Sequence, residues 1–223
     1  MNKIISNYRN IINEIKSYEK EFYESEKNIN LVAVSKTFSA EKIELILNLG
    51  HRVFGENRVQ EAVEKWPELK KKFDNVELHL IGPLQSNKAK IALEIFDVIQ
   101  TLDREKIVLK IKEFKENYEN KKSHKFFIQV NTGNEEQKAG IEPDKLTDFV
   151  SWCKNDVNLD ISGLMCIPPI NESSAKHFKI LSSLAEKSSL KFLSMGMSMD
   201  FKEAIEFGAT HVRVGSGIFG KRD

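Results

Sequence analysis

Cysteine is scarce in this chain of 223 residues: there are two, Cys153 and Cys166, at no spacing that suits a metal site. The five histidines, His51, His79, His124, His177 and His211, form no His-x-x-x-His pair, so metal chemistry lacks a ligand set. Charge of one sign is missing too. With 34 basic against 33 acidic residues the net charge is +1, unlike the strongly basic surfaces that live on phosphate backbones, and nucleic acid is not an expected partner. No apolar run approaches the roughly 18 residues of a membrane helix, and a polar, helix-patterned segment stands where a signal peptide needs an apolar core. A cytoplasmic protein without membrane contact is expected. Gly-x-Gly-x-x-Gly does not follow the first apolar run, and Gly-x-x-x-x-Gly-Lys-Ser/Thr occurs nowhere, which removes the main support for nicotinamide and P-loop readings. Paired-carboxylate glycosidase chemistry is hard to build, because Glu56 and Asp103 are the conspicuous acids near strand ends.

What is present is alternation. Apolar residues at Ile4, Ile5, Tyr8, Ile11, Ile12, Ile15, Tyr18 and Phe22 have the spacing of an amphipathic helix. Short apolar strands are then expected at 31–35, 52–54, 78–81, 96–100, 125–130, 159–164, 191–195 and 211–214. Helical patterns lie between them at 40–49, 57–65, 87–93, 104–118, 143–154, 172–187 and 200–207. This order calls for a parallel sheet with helices outside it. Eight units of roughly 20 to 30 residues fit a closed (β/α)8 barrel better than an open doubly wound sheet. Only nine residues follow the last strand, so the N-terminal helix is expected to cover the gap they leave. The fold class is α/β: a single TIM barrel with an additional N-terminal helix, one domain over 1–223 with no linker or composition break. The Lys- and Glu-rich segment 112–125 reads as a solvated helix end and loop.

In such a barrel the chemistry sits at the carboxyl ends of the strands. Lys36 closes the run Leu31-Val32-Ala33-Val34-Ser35. A lysine there is costly to desolvate unless its amine has a partner or a task, and the natural task is a Schiff base to an aldehyde. Ser198, expected as an N-cap, and Gly215-Ser216-Gly217 end the last two strands and read together as a phosphate site. Arg213 points opposite to Val212 and Val214; it serves either a structural salt bridge or a ligand acceptor. Asn57 either donates to a ligand or caps the helix after it. His79 reads as a mouth-lining or core histidine rather than a catalytic base, and Met165 suits packing against an aromatic ring.

The runs Val34-Ser35-Lys36, Phe54-Gly55-Glu56-Asn57 with Gln60-Glu61, His79 through Lys88, Gly163-Leu164-Met165, Leu193 through Ser198 with Asp200, and Arg213 through Ser216 with Ile218-Phe219-Gly220 resemble the pyridoxal-phosphate homeostasis protein family, also called YggS/PROSC-like. The resemblance spans essentially the whole chain. It implies a barrel similar to the N-terminal domain of alanine racemase, with pyridoxal 5′-phosphate linked to Lys36. It further implies phosphate contacts from Ser198, Gly215 and Ser216, ring-nitrogen contact from Arg213, and a pocket lined by Asn57, His79 and Met165. Arg58 stands where relatives often carry an aromatic or aliphatic residue, and Gly217 where alanine is common.

The resemblance implies a carrier or regulator of the cofactor without established turnover, passing it to free amino acids or to apo-enzymes; a monomer is expected. The alternatives are a slow amino-acid racemase and a non-catalytic interaction scaffold. The racemase reading needs a tyrosine as second base, and the tyrosines are Tyr8, Tyr18 and Tyr23, assigned to the leading helix, and Tyr118 near the end of an outer one.

Overall fold

The computed structural model describes residues 2–117 and 123–220; Tyr118, the middle of segment 112–125, and Lys221, Arg222 and Asp223 lie outside them. Eight strands, β1 (Asn30–Val34), β2 (Val53–Glu56), β3 (Glu77–Leu80), β4 (Val98–Leu102), β5 (Lys125–Val130), β6 (Ile161–Cys166), β7 (Phe192–Ser194) and β8 (His211–Val214), close into a barrel in sequence order. Every pairing is parallel, and β1 completes the ring against β8 with Val32 opposite Arg213. The (β/α)8 architecture is therefore as the alternation predicts.

Period-two alternation sorts the side chains onto two faces. Leu31, Ala33, Phe54, Leu78, Leu80, Phe126, Ile128, Val212 and Val214 join the large core under the helices. A separate small cluster of Val98, Phe127 and Met165, with Phe192 against it, belongs to the other face, the barrel interior. That interior is polar for its size, since His79, Gln100, Ser194, His211 and Arg213 are also buried.

The outer helices are α1 (Asn2–Phe22), α2 (Ala40–Leu47), α3 (Val59–Lys72), α4 (Ala89–Ile95), α5 (Glu105–Glu116), α6 (Leu146–Asn155), α7 (Ser174–Lys187) and α8 (Phe201–Glu206), followed by the short α9 (Ser216–Phe219). Helix α1 packs on α2, α8 and α9, so it does cover the eighth position. Asn7 Nδ2 donates to the Ile218 carbonyl at 3.1 Å and Tyr23, one residue past the helix, donates to Ile205 O at 2.5 Å. Two features depart from expectation. Helix α3 runs through Pro67 to Lys72, because Trp66 and Leu69 bury their side chains on either side of the proline. Helix α9 forms from four residues that tertiary packing on α1 supports, where local pattern alone is too short to predict it.

Candidate functional site

Parallel strands in one ring put all eight carboxyl ends on one rim. There a cavity of about 270 Å3 is lined by Lys36, Asn57, Ser198, Arg213, Gly215 and Ser216, six of the eight residues expected at the site. Val34, Ile81, Ile167, Met197, Met199 and Asp200 complete its wall.

Lys36 is half-buried, two residues beyond β1. Its loop is tightly held. Thr37 next to it adopts φ 68°, a left-handed conformation that costs a β-branched residue of order 1–3 kcal/mol. The surroundings enforce it: the Thr37 N–H donates to the Glu61 carboxylate, and Lys65 Nζ donates to the carbonyls of Ser35 (3.1 Å) and Phe38 (3.2 Å). Lys65 also pairs with Glu61 at 2.8 Å and with the fully buried Glu56 at 2.9 Å. Glu56 Oε1 further accepts from Ser35 Oγ at 2.7 Å and Trp66 Nε1 at 3.1 Å, while Oε2 has no partner. Burial raises the Glu56 pKa and the Lys65 charge opposes the rise.

At the other side of the cavity the loops after β7 and β8 meet. Ser198 Oγ accepts from the Gly217 N–H and from Ser216 Oγ, both at 3.2 Å, which leaves the Ser198 hydroxyl proton available as a donor. A Cβ on Gly217 would stand 2.9 Å from Val214 Cγ1 and 3.5 Å from Ile11 Cδ1, so the glycine lets this turn sit on β8 and α1. Ser198 is not the N-cap of α8. That position belongs to Asp200, whose Oδ1 accepts the Met197 N–H at 2.6 Å and braces the turn that presents Ser198. Burial raises the Asp200 pKa.

Arg213 is 4% exposed. Its Nη2 donates to Cys166 O and its Nη1 to Ser194 Oγ, both at 2.8 Å. Ser194 Oγ donates in turn to Gln100 Oε1 (2.6 Å), and Gln100 Nε2 to His79 Nδ1 (2.7 Å). His79 Nε2 then donates to Glu77 (2.8 Å). The donors all run one way, from guanidinium to carboxylate, so the buried cation is answered across the barrel without a direct ion pair. Burial lowers the His79 pKa despite Glu77, which fits a neutral ring; the hydrogen bond from His79 holds Glu77 down to about 2.

His79 and Met165 do not line the cavity. His79 sits inside the barrel, 5.8 Å from the His211 ring, as a member of the relay behind Arg213, and Met165 packs on Val98 and Phe127. Cys166, with its thiol pushed up to about 12 by burial, contributes a backbone carbonyl. Among the described residues no cluster of three or more His, Cys, Asp or Glu is arranged to hold a metal, and no helix is long and apolar enough to cross a membrane.

A family model described as alanine racemase, N-terminal domain, matches residues 7–223. A pyridoxal phosphate homeostasis protein of Pasteurella multocida (strain Pm70) is 41% identical over 208 residues, 89% of this chain and 88% of that protein. The chain belongs to the pyridoxal phosphate homeostasis protein family.

A relative of the same name from Vibrio cholerae is 39% identical and spans 100% of this chain and 98% of its own. PipY of Synechococcus elongatus PCC7942, solved with PLP bound, superposes with a TM-score of 0.76 at 32% identity, covering 93% of this chain and 99% of PipY. Alanine racemase of Clostridium difficile 630 superposes at 0.72 over 98% of this chain and 56% of the racemase, but at 14% identity it speaks for the fold alone. The family motifs contain three residues to which the sequence reading gave no role: Glu56 and Glu61 hold the Lys36 loop, and Asp200 braces the Ser198 turn. An acid at the end of an apolar strand was the signal for Glu56.

Proposed function

We propose that this protein is a single-domain, monomeric, cytoplasmic holder of pyridoxal 5′-phosphate that retains it reversibly on Lys36 and yields it to free amino acids or apo-enzymes. When bound, the cofactor supplies an aldehyde that condenses reversibly with primary amines. The observation that carries the reading is that a half-buried lysine and a hydroxyl-rich turn pair share one small cavity on one rim. A volume of about 270 Å3 lies near the lower end of small-molecule pockets, suited to one substituted ring and too small for a dinucleotide.

The fit extends to each donor. Lys36 presents its amine from a loop whose backbone is fixed by Lys65 and Glu61. Ser198 offers its free hydroxyl proton to a phosphate and Ser216 would do so by turning its own from Ser198, while Gly215 brings that backbone within van der Waals reach of Val34, where a Cβ would lie 3.2 Å from its carbonyl oxygen. Arg213 lines the cavity, and its charged guanidinium would donate to a ring nitrogen there without giving it a proton. Asn57 places an amide on the Lys36 side.

The test is absorbance and trapping. Protein mixed with pyridoxal 5′-phosphate should gain a band near about 420 nm, and borohydride should fix the label on the peptide containing Lys36. Lys36→Ala should abolish the fixed label. Equal labelling of both proteins would sink the assignment.

A further inference from the structure

Beside the cofactor cavity, between the loops after β2 and β3, lies a second cavity of about 430 Å3 walled by Asn57, Arg58, Gln60, Gln85 and Lys88 among others. Asn57 is common to both cavities. Its charge is one-sided: the lining carries two cations and three amides and no carboxylate. Among the described residues neither the Arg58 nor the Lys88 side chain makes a hydrogen bond or ion pair. The lysines of the adjoining helix α3, Lys65, Lys70, Lys71 and Lys72, all have carboxylate partners. The acids close by are occupied elsewhere or outside the wall: Glu61 holds Lys65 and Thr37, and Glu64 accepts from Gln60 Nε2 at 3.4 Å without lining the cavity. Two uncompensated cations around a concave space with amide donors suit an anionic group.

Position supplies the class of ligand. Along the rim the order is the Ser198 and Ser216 turns after β7 and β8, then Lys36 after β1, Asn57 after β2, and the basic cavity between β2 and β3. A ligand held by its phosphate at Ser198 and Ser216, with its aldehyde carbon at Lys36, therefore ends beside Asn57. We infer that the basic cavity is the subsite for the carboxylate of an amino acid joined to the cofactor at that carbon, an inference that rests on the cofactor reading above. Arg58 and Lys88 bind the carboxylate, and the amides of Gln60 and Gln85 complete its hydrogen bonding. The charge of Arg58 and Lys88 makes amino acids preferred over uncharged amines.

The test is calorimetric binding of two stable secondary amines to the cofactor-free protein: N-(5′-phosphopyridoxyl)-L-alanine and N-(5′-phosphopyridoxyl)-ethylamine, which differ by one carboxylate. The alanine compound should bind about tenfold more tightly, the effect of one charge-assisted hydrogen bond. In the double variant Arg58→Gln, Lys88→Gln the ratio should fall to about one, with binding of the ethylamine compound unchanged. Equal affinities on the unaltered protein, or a ratio that survives the double substitution, overturn the subsite and leave the cofactor reading standing. Absence of binding by the ethylamine compound overturns both.

Discussion

Lys65→Met removes the cation that answers Glu56, and the size of the loss can be worked from the buried pair. Glu56 is fully buried, so once its partner is gone the carboxylate either stays ionised and unpaired, at about 3–5 kcal/mol, or takes up a proton. Protonation is the cheaper route and bounds the loss. From the ordinary glutamate value of 4.5, holding the group neutral at pH 7 costs about 3.4 kcal/mol, and at pH 5 about 0.7 kcal/mol. Losing the two carbonyl contacts of Lys65 adds about 1 kcal/mol at either pH. The sign follows from the raised folded-state pKa: stability is intact below about 4.5 and falls as pH rises through the folded value, which Lys65→Met moves further up. Because the raised Glu56 of the unaltered protein already bears part of this cost, urea unfolding should show losses of at most about 4 kcal/mol at pH 7 and at most about 2 kcal/mol at pH 5. Adding Glu56→Gln should recover most of the pH-dependent part. Because the loop carrying Lys36 loses its brace, borohydride trapping should also become slower. An equal loss at both pH values, or trapping at the unaltered rate, would refute the reasoning.

Gly82→Ala would place a Cβ 2.2 Å from the backbone oxygen of Asn57, forcing the ends of β2 and β3 apart; unfolding should show a loss of about 3 kcal/mol or more, with weakened cofactor retention, and a loss under 1 kcal/mol would contradict it. Burial lowers His211 to about 3 and His51 to about 4, so the unfolded chain binds protons that the folded one refuses as pH falls below 6.5. Between pH 7 and pH 5 each histidine should cost about 2 kcal/mol, and His211→Phe should flatten that dependence by this amount in urea unfolding. Gln100→Leu interrupts the relay between Ser194 and His79; it should cost about 1–3 kcal/mol and shift the absorbance of bound cofactor while borohydride still labels Lys36.

Where hydrophobic period decides the outcome, the fold was readable from residues alone. Strands 125–130 and 211–214 have the bounds expected, and the others differ by one or two residues at their ends. Strand β2 extends to Glu56, since a buried charge satisfied by Lys65 and Trp66 continues the strand where local pattern suggests a loop. Barrel topology explains why six site residues fell together, as strand ends share a rim regardless of their distance in sequence. Depth below the rim was not readable. His79 and Met165 face inward like Arg213, but His79 packs on the His211 ring and Met165 pairs through Ser194 with His211, two residues before Arg213 on β8, and only the closed ring shows that difference. The exchange of roles between Ser198 and Asp200 has a similar origin: both suit an N-cap, and the backbone of the Met197–Phe201 turn selects the second.

Among the described residues, the cavity wall also bears on the racemase alternative. Two-base racemisation moves a proton on each face of a substrate and so uses two proton-transfer groups in one cavity. Lys36 is one. Tyr8 packs against His51, Tyr18 against Phe201, and Tyr23 is tied to Ile205, all on the outer layer, and none lines the cavity. The carboxylate that does line it, Asp200, is committed to the Met197 N–H. On the proposed reading Arg213 meets the ring nitrogen as a donor that keeps its own proton, which withholds the electron sink that carbanion chemistry needs. On that reading these residues supply the capacity to grip: an amine on a braced loop, the Ser198 and Ser216 turn and a buried guanidinium, next to the basic cavity inferred to take the carboxylate of an incoming amino acid. Release then depends on which amine arrives rather than on any bond broken at the substrate's Cα, and Asp200→Asn, which keeps an acceptor for Met197 N–H, should leave cofactor exchange with alanine within a factor of about two in stopped-flow absorbance. A hundredfold drop would reassign Asp200 as a proton-transfer group and revive the racemase.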